Sequence, residues 1–174
     1  MAVKPSVRVV KDQDNGFDNF FKTMKGLGRE SVKVGIQSPE SQETGAGIRE
    51  GNETNLELAI KHEFGVPEEN IPERSFIRST TDKEKSKIES ALVKVSERAL
   101  KRRSTLDAKS GLLKTGEFLR KSIVTRMDNN EFGREKPLSS FTIQQRFERT
   151  GVADPVALVD TAVMKNSITA KLSD

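Results

Sequence analysis

The apolar residues of this chain fall in short stripes whose spacing switches from helical to extended and back, and that switching constrains the fold more than any other feature. Phe17, Phe20, Phe21 and Met24 stand at i, i+3, i+4 and i+7, with Asp14, Asn15 and Gly16 before them where a cap belongs. Gly26 and Gly28 predict the helix end, because glycine enters the left-handed conformation that closes a helix. From Ser31 to Gln37 the period changes to two: Val32, Val34 and Ile36 alternate with Lys33, Gly35 and Gln37, as in a half-buried strand. Ser6 to Val10 is β-branched in character.

The switching continues downstream. Residues 38–54 are polar and glycine-rich and predict a long mobile loop of the kind that orders on meeting a partner. Thr54 and Glu57 fit a capping box; Leu56, Ile60 and Phe64 follow as a helical stripe, and Gly65 stops it. Pro67 and Pro72 make Val66 to Arg78 extended or turning, with Ile71, Phe76 and Ile77 tacking it to the body. Thr81 and Glu84 suggest a second capping box, opening the longest helix, whose stripe is Ile88, Leu92, Val95 and Ala99. Another helix runs from about Lys109 to Met127 on Leu112, Leu119, Ile123 and Met127, weakened by Gly111 and Gly116. Asp128 to Lys136 predicts a polar loop, Ser139 opens a short helix with Phe141, Ile143 and Phe147, and alternation at Ile168, Ala170 and Leu172 predicts a strand over about 167–173. The expected fold is α+β: one domain over residues 1–174, with a small, mainly antiparallel sheet packed against two or three helices.

Composition limits the function. Leu, Ile, Val and Phe total 44 of 174 residues, enough for a lean core. With no cysteine there are no disulfides, thiolate metal sites or cysteine nucleophiles. No apolar run is long enough to span a bilayer, and Met1 to Pro5 lacks the apolar core of a secretory signal, so the expectation is a soluble chain not exported by that route. His62 has no second histidine for a metal site, and Gly45, Gly47 and Gly51 miss the dinucleotide fingerprint by one residue. No enzyme, cofactor or metal is expected.

The net charge of +4 sits in one place: Asp82 to Arg103 holds eight basic residues against four acidic ones. Lys101, Arg102 and Arg103 either face DNA or complement the helix dipole at its C-terminus. The second reading is preferred, because no aromatic residue interleaves the basic ones and no base-reading motif is present.

Two stretches carry a resemblance. Ala59 to Arg78, A-I-K-H-E-F-G-V-P-E-E-N-I-P-E-R-S-F-I-R, resembles the signature of bacteriophage tail-completion and neck proteins, the group that includes minor tail protein Z and the virion morphogenesis proteins. The matching residues are Glu63, Phe64, Gly65, Ile71, Pro72, Arg74, Phe76 and Arg78. Pro155 to Leu172 is similar to the family's ending, with Asp160 and Thr161 before a short helix and Ser167 and Ile168 opening a strand; Ala162 stands where the family usually has glycine. The resemblance implies a structural virion protein, made in the host cytoplasm, that completes the tail or joins it to the head. Relatives form rings, commonly hexameric, around the DNA channel. The implied partners are copies of itself and other neck, connector or tail proteins, with non-specific contact to channel DNA and no membrane. A tail terminator and a small basic DNA-binding module are the alternatives. Within the family reading, Arg74 and Arg78 are expected to form intersubunit ion pairs, and residues 38–54, Val66 to Arg78 and the C-terminal strand to make subunit contacts.

Overall fold

A computed structural model describes residues 16–37, 54–153, 156–158 and 163–173. The β-branched stretch Ser6 to Val10, nearly all of the expected 38–54 loop, and the Asp160–Thr161 turn lie outside the described residues. Within them the fold is α+β: seven α-helices and a two-stranded antiparallel sheet. Helix α1 is Phe17–Leu27, strand β1 is Val32–Ile36, and α2 is Asn55–Phe64. A 3-10 turn at Pro67–Glu69 precedes α3 (Arg78–Arg102), which leads to α4 (Thr105–Asp128). Then come α5 (Glu131–Glu135), α6 (Ser140–Thr150), α7 (Val163–Asn166) and β2 (Ile168–Leu172).

The centre is an antiparallel hairpin of α3 and α4. Arg103, at φ 52, closes α3 in the left-handed conformation, and Ser104 caps α4 by accepting from the Asp107 backbone N–H. At the open end of the hairpin, Arg126 of α4 reaches Thr80 of α3. The sheet pairs Val32 with Leu172, Val34 with Ala170 and Ile36 with Ile168, and lies against α4. Gly116 makes that approach possible: a Cβ there would stand 2.6 Å from Val32 Cγ2 and 3.2 Å from the Ala170 Cβ. The apparent weak point of α4 is thus its contact with the sheet. The main core gathers Phe76, Ile123, Met127, Phe132, Met164 and Ile168 near the open end of the hairpin, roofed by α2, α5 and α7.

Several expectations need correcting. Gly28 ends α1 at φ −68, in the right-handed region, so it is not the left-handed stop expected; Gly26 instead lets α1 approach Thr105. Helix α3 starts at Arg78, before the expected Thr81–Glu84 box, which does not form. Ser79, Thr80 and Thr81 turn their hydroxyls back to the carbonyls of Ser75, Phe76 and Ile77, and Glu84 pairs with Lys87. Helix α4 begins at Thr105, not Lys109, because Ser104 caps it. The expected Asp128 to Lys136 loop contains α5, anchored by buried Phe132 and by the Glu131–Arg126 ion pair.

Candidate functional site

The motif residues from Glu63 to Arg78 converge where α2 hands over to α3. Glu63, 6% exposed, ends the buried face of α2, and its carboxylate gathers four donors. Ser75 Oγ (2.8 Å), the Arg78 backbone N–H (3.0 Å) and Arg78 Nε (3.0 Å) bond one oxygen, and the Ile77 backbone N–H (2.9 Å) bonds the other. A carboxylate from a different helix therefore caps α3, whose first turn has no capping side chain of its own. Arg78 also bonds the Glu63 carbonyl and pairs with Glu73, while its guanidinium lies 4.6 Å from the Phe64 ring centroid. Gly65 is required twice over: its φ is +75, and a Cβ would stand 2.7 Å from the Glu73 backbone nitrogen, which cannot yield. Beyond it Val66 and Ile71 exchange backbone hydrogen bonds around the 3-10 turn, and the Arg74 N–H returns to the His62 carbonyl. Phe76 is fully buried between these contacts.

Arg74 is only 5% exposed, its side chain turned into the protein. Its Nε and Nη2 donate to the carbonyls of Lys136 and Pro137, pinning the α5–α6 connection. Arg78 likewise finds its carboxylates inside the chain. Arg74 lines a cavity of about 310 Å³ shared with His62, Ser139 and Arg146. Burial first, and then the nearby Arg146 charge, lower its pKa from the usual arginine value.

Ser167 and Ile168 join the same region, both buried; the Asn55 amide donates to Ser167 Oγ, tying the start of α2 to the start of β2. Lys101, Arg102 and Arg103 lie at the far end of α3, about 36 Å away at the helical rise per residue. Lys101 and Arg102 line a wide groove between α3 and α4 with Lys87, Lys94, Arg98 and Lys114, against Glu97 and Asp107 as the acidic residues of its lining. Arg102 is 3.8 Å from Asp107. Arg103 is turned away, with its guanidinium against Gly16.

The apolar stripes of three helices face outward. On α2 the expected core stripe of Leu56, Ile60 and Phe64 is exposed, Phe64 by 60%, while Asn55, Ala59 and Glu63 are buried at the same spacing. On α1 Phe17, Phe21 and Met24 are exposed and Thr23 is buried; on α6 Phe141 and Phe147 are exposed and Arg146 is buried. Sequence reading also missed Arg126, which lies between Ile123 and Met127 in the α4 stripe. It donates to Thr80 Oγ1 (2.7 Å), Ser79 Oγ (3.1 Å) and Glu131 Oε2 (2.7 Å) over the Phe132 ring. A cation inside an apolar stripe was the available signal.

Among the described residues no group of three or more His, Asp or Glu could hold a metal ion, and no helix is long and apolar enough to cross a membrane. No family model, curated protein or solved structure matches the chain.

Proposed function

We propose that the chain is a structural virion protein of the bacteriophage head-to-tail junction, which works by associating with copies of itself, as a ring around the DNA channel, and with neighbouring neck or tail proteins. The observation that carries this reading is the reversal of α2: polar Asn55 and Glu63 are buried while Leu56, Ile60 and Phe64 are left to solvent. Exposed apolar faces of this kind, repeated on α1 and α6, suit association. A ring built by rotation needs two different patches per subunit, and faces on separate helices supply them. The phage context rests on the resemblance of Ala59 to Arg78 and Pro155 to Leu172; a tail terminator would use the same surfaces. Sedimentation velocity tests the association. Wild type assembles, whereas a Leu56→Glu/Ile60→Glu variant sediments as a monomer with unchanged far-UV circular dichroism; identical sedimentation of the two would reject the role of this face.

The basic groove between α3 and α4 favours a second reading, in which that surface meets DNA phosphates. On the ring reading it is the face toward the channel; for an isolated module it is the binding site. Titration against duplex DNA at two salt concentrations tests both, since each lost phosphate contact lowers the salt slope by about 1. Lys94→Glu/Lys101→Glu is expected to flatten that slope, and an unchanged slope would exclude the groove as a phosphate site.

A further inference from the structure

We propose that the cavity beneath the Ile71–Arg74 segment is a binding site for a carboxylate on a short apolar stem, with Arg74 as the group that holds the anion. The proposal stands on the cavity's own chemistry and does not depend on the ring reading. Arg74 is a nine-tenths-buried cation whose hydrogen bonds all go to neutral backbone carbonyls: Nε to Lys136, Nη2 to Pro137, and none from Nη1. Buried charges are ordinarily paired, and among the described residues this guanidinium has no carboxylate partner. The described lining contains no Asp or Glu, and Ser139 and Thr142 bring the N-terminal turn of α6 to it. Both features favour an anion.

The remaining walls decide which anion. Leu58, Ile71, Leu138, Leu158 and Met164 line the rest of the cavity and suit an alkyl stem. With Nε and Nη2 engaged, Arg74 offers one free edge, which matches a singly charged carboxylate better than a phosphate that needs several donors at once. Such a carboxylate belongs either to a small free acid or to an acidic side chain or C-terminus of a neighbouring chain.

The test is NMR observation of the arginine Nε–H signals of the full chain during titration with butyrate, with chloride and phosphate at matched ionic strength as controls. Butyrate is expected to move the Arg74 signal saturably, with a dissociation constant on the order of millimolar, as befits so small a ligand. Arg74→Gln removes the response but endangers the fold, because it also breaks two backbone contacts. Thr142→Phe therefore serves as a second variant: it fills the cavity from α6, keeps the Arg74 signal and weakens butyrate binding at least tenfold. Absence of a saturable shift, an equal shift with chloride, or unchanged affinity in Thr142→Phe would each overturn the proposal. Sedimentation with and without butyrate separates the sources. Dissociation of assembled chain identifies a neighbour's carboxylate as the natural occupant, and unaltered sedimentation identifies a free acid.

Discussion

Replacing Glu63 by glutamine tests the junction most sharply, because it keeps the shape of the side chain and removes its charge and one acceptor. The carboxylate receives four hydrogen bonds, three on one oxygen and that of the Ile77 N–H on the other. A glutamine can keep its carbonyl on the first side only by turning its NH₂ toward the Ile77 N–H, donor against donor. Leaving that buried N–H unsatisfied costs about 1–3 kcal/mol. The capping contribution to α3, typically about 1 kcal/mol, also weakens without the negative charge. The ion pair with Arg78 adds little, at most about 1 kcal/mol, because the arginine side chain is half exposed. Together these give a loss of about 2–4 kcal/mol. For a chain of 174 residues that lowers the melting temperature by roughly 5–15 °C, at about 2–4 °C per kcal/mol. Urea unfolding followed by far-UV circular dichroism measures it, with the midpoint falling and the slope unchanged. A loss below about 1 kcal/mol would refute the assignment of Glu63 as the cap of α3.

Two further predictions concern other parts of the frame. Gly116→Ala should destabilise by about 1–2 kcal/mol in denaturant titration, because overpacking against Val32 and Ala170 outweighs the roughly 1 kcal/mol that alanine gains in helix propensity; a stabilised variant would contradict the packing. Glu131 has its pKa lowered from the ordinary 4.5, first by the Arg126 hydrogen bond and also by Lys83, so its contribution to stability is present above that pH and is lost as pH falls through the folded-state value. The stability gap between wild type and Glu131→Gln should therefore close on acidification below about pH 4.5, and a gap independent of pH would be inconsistent with that pairing.

The sequence announced the elements better than their orientation. Strand β1, the Thr54–Glu57 box, the stop at Gly65 and the final strand are local signals, set by alternation, by a reciprocal side-chain cap and by one backbone conformation, and each forms as expected. The face that α2 buries was not legible. Asn55 and Glu63 go inward because Ser167, Ile77 and Arg78 satisfy them, and those partners come together only in three dimensions. The same reason hid the start of α3, whose cap arrives from another helix, and the cavity at Arg74, whose burial depends on the α5–α6 connection 62 residues downstream. Glycine penalties misled for a related reason: Gly116 is unfavourable to an isolated helix and necessary to one that meets a sheet.

Electron microscopy of the purified chain, alone and mixed with phage tail tubes, shows whether the subunits close into a ring. Closed rings with a central channel, free or seated on the tube end, are expected. Monomers in both preparations, with bare tube ends, would contradict the ring reading.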